Sequence, residues 1–294
     1  MTFLDRNGAV IDSSELPRST SRDAKAARGV AAVRQIDYTR AIPDSPIHRG
    51  FDHFYGTVCC PTSDWLYAYV DGDRIPVPPT KLINKADLPK HEWSFDCRPG
   101  FVAPNFEHEN VDLVFLEKSL AFLDKHHKKK AAKPFFLFHS LQAVHLPSFP
   151  AKQFQGKSGA GPHGDFIVEF DYVVGELLAK LESLGMADNT LVLLTSDNGP
   201  EVGTTINMRE KYKHNGAHPW RGLKRDNWEG GHRVPLIARW PKKVAANAVA
   251  EQTVCLTDLM ATCAAITGAR LPNDAAEDSV NLLPLLLGKT KKNL

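Results

Sequence analysis

The sequence predicts an α/β protein built on a mostly parallel sheet that is flanked by helices. Residues 134–138 and 191–194 are short apolar runs, which is typical of strands that are buried on both faces. Residues 165–184, which lie between these runs, repeat apolar side chains at helical spacing. The order strand, helix, strand is a βαβ unit, so we expect two parallel neighbouring strands joined by a right-handed crossover.

The composition places limits on the class of protein. The chain has 294 residues, of which 43% are hydrophobic and 24% charged, as in an ordinary globular protein. The formal net charge of +2 gives no electrostatic reason to expect a nucleic-acid partner. No run of about 18 apolar residues predicts a membrane helix. The first residues lack the apolar core of a signal peptide, and the compartment stays open.

The first third of the chain has few regular patterns. Residues 1–35 are predicted to be a poorly ordered or divergent arm, because they are rich in small, polar and basic residues. Residues 66–70 read as a strand, and residues 71–74 as a hairpin turn with Asp-Gly at its start. The proline-rich region that continues to Asn110 predicts an extended loop. Five irregularly spaced cysteines predict neither a disulfide framework nor a zinc site.

The remaining elements are easier to predict. Leucines at three- and four-residue spacing predict a helix over 111–127 that Asn110 caps, and Gly185 is expected to end the helix over 165–184. Residues 199–233 predict a long loop, which in a compact domain is usually functional or disordered. After it we expect a strand over 234–240, a helix over 257–267 between Thr257 and Gly268, and an apolar turn over 282–287.

Polar residues that could form a site follow the apolar runs. Asp197 and Asn198 follow residues 191–194 closely, and their oxygens are the kind that Ca²⁺ or Mg²⁺ prefers, although on these residues alone a plain turn after a strand is the favoured explanation. His145 lies just beyond residues 134–138, where a lone histidine is more commonly structural. If the two strands are parallel neighbours, His145 and Asp197 lie on the same sheet edge, which favours a functional site. Lys224, close to several glycines, could contact an anionic ligand.

Together these stretches resemble the sulfatase family of the alkaline-phosphatase superfamily, over about residues 36–288. The resemblance depends on the order and spacing of its pieces more than on any single motif. The pieces are Gly50-Phe51-Asp52 to Gly56, the Pro134 run with His145, Asp171 to Gly175, Asp188 to Gly199 with its Thr195-Ser196-Asp197-Asn198-Gly199, and Lys224 followed by Glu229-Gly230-Gly231 and Arg233-Val234-Pro235.

The resemblance implies an arylsulfatase-like sulfuric ester hydrolase. It implies that Asp197 and Asn198 are metal ligands of a divalent cation, usually Ca²⁺, with Mg²⁺ as the other choice. It implies that His145 and Lys224 are catalytic residues that grip the sulfate group. The expected partner is a sulfated small molecule or a sulfated glycan, with neither nucleic acid nor membrane involved. The family's nucleophile is a formylglycine, made from the first residue of Cys/Ser-x-Pro-x-Arg.

The sequence departs from the family pattern at the nucleophile. Residues 59–63 read Cys-Cys-Pro-Thr-Ser, with serine where the motif has arginine, and they follow the Gly50 segment instead of preceding it. We therefore assign no nucleophile, and the family's Asp-Asp pair and Gly-Lys-Trp-His segment are absent as well. We expect residues 36–288 to be a partial sulfatase domain lacking its N-terminal third and C-terminal subdomain, with residues 289–294 as a tail.

Two alternatives stay open at this point. One is a phosphoester or phosphonate hydrolase of the same superfamily, which would have its nucleophile upstream. The other is a non-catalytic remnant that binds a sulfated glycan, which fits the missing nucleophile. Because the family's nucleophile is missing, we expect that this chain alone has no sulfatase turnover.

Overall fold

The computed structural model describes residues 1–11, 29–63, 65–94, 97–129 and 133–290. The chain divides into two compact units: unit 1 is Met1–Leu177 with Gly203–Asn215, and unit 2 is Leu178–Val202 with Gly216–Leu294. Within the described ranges, no helix is both long enough and apolar enough to cross a bilayer.

Among its described residues, unit 1 contains two small sheets made of two-residue strands. Strand β1 (Tyr55–Gly56) pairs antiparallel with β3 (Val70–Asp71). Strand β2 (Leu66–Tyr67) pairs parallel with β5 (Phe101–Val102), which pairs antiparallel with β4 (Lys81–Leu82). The strand predicted over 66–70 is therefore two strands in different sheets, and the predicted loop up to Asn110 contains β4 and β5.

The turn predicted at residues 71–74 is present, but among the described residues it does not join the two strands of a hairpin. The Asp71 N–H donates to the Arg74 carbonyl over 2.9 Å, and Gly72 has a φ of 62°. Glycine adopts this left-handed conformation without the steric cost that a Cβ brings. The turn then leads the chain out of β3, which pairs with β1 and not with a following strand.

An aromatic cluster forms the centre of the unit 1 core. Tyr67 and Tyr69 are buried, and each ring packs against Phe106, with centroid distances of 5.9 and 5.0 Å. Phe149 is also fully buried in this core. Aromatic side chains contribute much of the free energy of folding because each removes a large apolar area from water.

The two long predicted helices are present. Helix α1 (Val111–Lys128) buries Leu116 and Leu123, as the leucine spacing predicts. The prediction that the Asn110 side chain caps α1 is wrong, because that side chain donates to the carboxylate of Glu107 instead. Helix α2 (Gly161–Ser183) begins earlier than predicted, and Gly185 follows its end with a φ of 65°.

A third helix replaces part of the predicted loop. Residues 199–233 contain α3 (Val202–Tyr212), which buries Thr204, Thr205 and Met208. The sequence shows little apolar period here because the buried face of the helix is made largely of threonines. Gly161 lies close to the Tyr212 ring at the end of α3, where an added Cβ would lie 2.6 Å from the hydroxyl oxygen.

Unit 2 contains a two-stranded sheet and short helices. Strand β6 (Val192–Thr195) pairs antiparallel with β7 (Leu236–Arg239). Helix α4 (Glu229–His232) precedes β7, and α5 (Asp258–Thr267) and α6 (Leu283–Leu286) follow it. Gly268 ends α5 in the left-handed conformation, as predicted.

Helix α5 is anchored by a different residue from the one predicted. Thr257 makes no side-chain capping bond at its N-terminus. Instead, the buried carboxylate of Asp258 accepts N–H groups from Cys255 and Val280, over 2.7 and 2.9 Å. This carboxylate therefore joins the start of α5 to the segment that leads into α6.

The predicted βαβ unit is wrong in its pairing. Residues 134–138 belong to no strand, and in the described part of the chain β6 has β7 as its single, antiparallel neighbour. Phe136 and Phe138 are 65% and 72% exposed, so this apolar run is not a buried strand. Apolar composition indicates a tendency to be buried, but it does not specify which neighbour covers the strand.

The predicted arm is described only in part. Arg18, Arg22, Lys25 and Arg28 fall in residues 12–28, outside the described residues. Elsewhere in the arm, Val33 is buried in the unit 1 core, and the Thr2 hydroxyl donates to Asp44 over 3.0 Å. The boundary at residue 35 stays a prediction.

Candidate functional site

The turn after β6 presents two oxygen donors. The carboxylate of Asp197 is exposed, and within the described part of the chain neither it nor the Asn198 side-chain oxygen accepts a hydrogen bond. The Asn198 side-chain N–H donates to the Gly199 carbonyl over 3.1 Å, and the Ser196 hydroxyl donates to the Asn198 carbonyl. These bonds hold the turn while leaving both side-chain oxygens available.

These two oxygens suit a hard divalent cation but form an incomplete set of ligands. Calcium takes six to eight oxygen ligands, and a carboxylate and an amide carbonyl are both suitable types. In the described ranges of the chain, no group of three or more His, Cys, Asp and Glu side chains is arranged to hold a metal ion. The turn therefore fits as part of a cation site.

Glycine contacts join this turn to the segment that carries Lys224. The Gly199 N–H donates to the Gly231 carbonyl over 2.8 Å, and the Lys224 N–H donates to the Pro200 carbonyl over 2.9 Å. A Cβ on Gly199 would lie 1.9 Å from the Gly230 carbonyl oxygen, so the two backbones approach more closely than any side chain permits. Asp197, Asn198 and Lys224 therefore lie on two backbone segments that are directly bonded to each other.

An unpredicted carboxylate, Glu201, faces Lys224. The Lys224 ammonium lies 4.0 Å from Glu201, with each side chain about 20% exposed. The guanidinium of Arg225 makes two bonds to the same carboxylate, over 2.8 and 3.0 Å. Hydrogen bonding to Arg225 holds the pKa of Glu201 below its ordinary value, so this carboxylate is ionised at neutral pH. Its only sequence signal is its position immediately after Asp197-Asn198-Gly199-Pro200.

His145 lies on an exposed loop of unit 1. Its Nδ1–H donates to the carbonyl of Leu146, and because a carbonyl can only accept, Nδ1 carries the proton. Its backbone N–H donates to the Gln142 carbonyl over 2.8 Å. This arrangement leaves Nε2 as the ring atom that can contact a ligand.

The loop that carries His145 is anchored by Asp112 at the start of α1. The buried carboxylate accepts the N–H groups of Gln142 and Ala143 over 2.7 and 2.8 Å. The Gln142 side chain in turn donates to the hydroxyl of Thr62 over 2.6 Å. Burial raises the pKa of Asp112 to about 6, although the two N–H groups act in the opposite direction. The sequence alone suggested only that Asp112 suits a helix N-terminus.

The predicted site residues are thus divided between the units. Unit 2 brings Asp197, Asn198 and Lys224 together, and His145 belongs to unit 1. The expectation that His145 shares an edge with Asp197 relied on the parallel pairing that the sheet topology contradicts. A common site for all four residues therefore stays a prediction. Cys59 is exposed, which adds no support for a role as nucleophile.

Comparisons with known proteins agree on one family. The sulfatase family model matches residues 30–269. An N-acetylgalactosamine-6-O-sulfatase of Bacteroides thetaiotaomicron is 32% identical over 253 residues, which cover 84% of this chain and 46% of the relative. A steryl-sulfatase of Rattus norvegicus is 42% identical over 156 residues, which cover 53% of this chain and 27% of the relative.

A solved structure supports the same fold. A Bacteroides thetaiotaomicron sulfatase, solved in work on the metabolism of multiple glycosaminoglycans, aligns with a TM-score of 0.71 and 26% identity. The alignment covers 88% of this chain and 59% of that one, and it confirms the predicted α/β class with a sulfatase-like fold. The chain spans less than half the length of the two curated relatives described above.

Proposed function

The chain belongs to the sulfatase family, and from that premise we propose that it carries part of the active site of a sulfuric ester hydrolase. The observation that supports this most is the bonding of the Asp197–Gly199 turn to the segment that carries Lys224. A pair of oxygen ligands beside a lysine suits an anionic ester that binds together with a divalent cation. The proposed substrate class is a sulfated small molecule or glycan.

Asp197 and Asn198 are the proposed cation ligands. Their side-chain oxygens are of the type that Ca²⁺ or Mg²⁺ prefers, and the bonds of Ser196 and Gly199 fix the turn that presents them. A bound cation would neutralise negative charge on the sulfate group during transfer. Two ligands alone hold such a cation weakly, so we expect a dissociation constant of about 1 mM or higher for these residues by themselves.

Lys224 is the proposed sulfate-binding residue of unit 2. Its ammonium is partly shielded from water, which strengthens its attraction for an anion. Glu201 competes with sulfate for this ammonium, but Arg225 binds Glu201 at shorter distances and so offsets its charge. A sulfate oxygen can therefore approach Lys224 without leaving Glu201 unpaired.

His145 is proposed to contact the sulfate group through Nε2. The Nδ1–H of His145 donates to the Leu146 carbonyl, so in the imidazolium form of the ring the Nε2–H is the donor that remains for a ligand. Such a donor can bind a sulfate oxygen or give its proton to the departing alcohol oxygen. Asp112 supports this role by fixing the backbone of Gln142 and Ala143.

We further propose that these 294 residues have no turnover by themselves. The family nucleophile is a formylglycine, and no Cys/Ser-x-Pro-x-Arg occurs in the sequence. The same observation favours the second candidate function, a non-catalytic protein that binds sulfated glycans. The two candidates share the proposed sulfate-binding residues.

Titration with 4-nitrophenyl sulfate, monitored for both binding and product release, tests the proposal. We expect weak binding, no release of nitrophenol, and binding at least about fivefold weaker in Lys224→Ala, because a charged hydrogen-bond partner is lost. Lys243→Ala, which removes an exposed lysine outside the proposed site, is the matched control. Tighter binding of 4-nitrophenyl phosphate would favour a phosphoester hydrolase, and nitrophenol release that Asp197→Ala abolishes would disprove the inactivity.

A further inference from the structure

An arginine and a tryptophan are stacked on the segment that carries Lys224. The Arg221 guanidinium lies 3.9 Å from the centre of the Trp228 ring. Trp228 is 53% exposed, although its ring is large and apolar. In the described part of the chain, no carboxylate pairs with the exposed Arg221, so the charge of its guanidinium is not compensated there by an ion pair.

The backbone fixes this pair relative to the proposed sulfate site. The Gly230 N–H donates to the Arg221 carbonyl over 2.8 Å, and the Gly231 N–H donates to the Trp228 carbonyl over 2.8 Å. Gly230 and Gly231 are the residues that contact Gly199 beside Asp197. The stacked pair and the proposed cation ligands are therefore attached to the same two glycines.

A second stacked pair in unit 2 differs in one respect. The Arg233 guanidinium lies 4.1 Å from the centre of the Trp220 ring, a geometry close to that of Arg221 and Trp228. Arg233, however, makes an ion pair with Glu229 over 2.7 Å. The charge of Arg233 is thus compensated, and that of Arg221 is available to a ligand.

We propose that Arg221 and Trp228 form a second anion-binding subsite, which takes a sugar ring carrying its own sulfate or carboxylate group. This inference builds on the proposed function, because Arg221 lies three residues before the sulfate-binding Lys224 and Trp228 lies four residues after it. The proposed substrates are therefore glycans that carry more than one charged group.

The chemistry of the pair suits such a ligand. A guanidinium matches the oxygens of sulfate or carboxylate with two parallel hydrogen bonds, and stacking on an aromatic ring holds it in place before the ligand arrives. An indole presents a flat apolar surface on which the apolar face of a sugar ring can pack. A ligand whose single charged group is bound at Lys224 has no second anionic group for Arg221.

The test compares ligands that differ in the number of their charged sugars. Binding of a chondroitin 6-sulfate hexasaccharide and of 4-nitrophenyl sulfate is measured by calorimetry for the wild-type chain and for Arg221→Ala, Arg221→Lys and Arg233→Ala. We expect Arg221→Ala to bind the hexasaccharide about tenfold more weakly, since it loses a charge-assisted contact, while its affinity for 4-nitrophenyl sulfate is unchanged. Arg221→Lys restores the charge without the planar fork and is expected to recover the affinity only in part.

The matched variant and a second polyanion separate the possible outcomes. Arg233→Ala is expected to bind the hexasaccharide within about twofold of the wild type, because Glu229 already neutralises Arg233. Three results would overturn the inference. The affinity for the hexasaccharide could fall equally in Arg221→Ala and Arg233→Ala, or the wild-type chain could fail to bind the hexasaccharide. The third is that a single-stranded DNA of the same charge binds as tightly as the hexasaccharide. If the proposed role of Lys224 is wrong but that of Arg221 is right, Lys224→Ala leaves the affinity for 4-nitrophenyl sulfate unchanged. Arg221→Ala still weakens binding of the hexasaccharide in that case.

Discussion

Glu169 is a buried carboxyl group with one bonded oxygen. It is 1% exposed, and one carboxylate oxygen accepts the Ala151 N–H over 2.7 Å. Its other oxygen has no partner among the residues that the structure describes. Burial, with smaller contributions from the charges of Asp112 and Glu109, raises the pKa of Glu169 to about 8 from an ordinary value of 4.5. Folding therefore favours its protonated form.

This shift predicts a decline in stability with rising pH. The contribution of Glu169 to the free energy of unfolding is complete below pH 4.5 and is lost as pH rises through about 8, because between these values the folded state holds a proton that the unfolded state has released. Glu169→Gln stays neutral, and we expect it to flatten this decline by about 4 kcal/mol between pH 4.5 and 8. Urea unfolding at several pH values measures the effect, and a parallel decline in both proteins would contradict it.

Individual site residues can be selected from the sequence when their local pattern is informative. Asp197 and Asn198 follow an apolar strand, and Lys224 lies among glycines, so all three could be selected before the structure. Glu201 and Asp112 could not be assigned roles, because their partners lie 24 and 30 residues away in the chain. A side chain whose role depends on a distant partner has no local signal.

Among the larger elements, the helices were predictable and the strand pairing was not. Helices α1, α2 and α5 satisfy their backbone hydrogen bonds within their own segments, so periodicity and end signals are sufficient to find them. A strand needs a neighbour, and the run at 134–138 shows that composition does not supply one. Helix α3 was missed because threonines form most of its buried face.

The contact between the β6 turn and α4 predicts the effect of a single methyl group. In Gly199→Ala the added Cβ would lie 1.9 Å from the Gly230 carbonyl oxygen, so the two backbones must separate. We expect a loss of about 1–3 kcal/mol in the free energy of unfolding and weaker binding of 4-nitrophenyl sulfate. Denaturant unfolding and the ligand titration described above measure these two effects.

Gly175→Ala is the matched control for this variant. Gly175 lies inside α2, and an added Cβ there would meet nothing within 4 Å. This substitution is expected to raise the free energy of unfolding by about 0.5–1 kcal/mol, because alanine favours a helix over glycine. If Gly199→Ala is as stable as Gly175→Ala, the close backbone contact does not hold the site together.

For the whole molecule, the sequence predicted the family and the α/β class but not the division into two units. The fold class follows from the order and spacing of many weak signals, and the comparisons confirm it. The division depends on contacts within the folded chain, since α3 returns to unit 1 between two segments of unit 2. The roles of Asp197, Asn198, Lys224 and His145 stay proposals, and so does the placement of His145 with the other three.

We propose that the Asp197–Gly199 turn and Lys224 form one site for a cation and a sulfate group. This proposal is tested by nuclear magnetic resonance titration of the ¹⁵N-labelled chain with sodium sulfate, with and without CaCl₂ and against sodium perchlorate of equal ionic strength. We expect saturable sulfate shifts at the amides of Asn198, Gly199 and Lys224 that Ca²⁺ enlarges and Lys224→Ala removes. Shifts confined to the basic end of α1, at Lys125, Lys128 and Lys129, would contradict it.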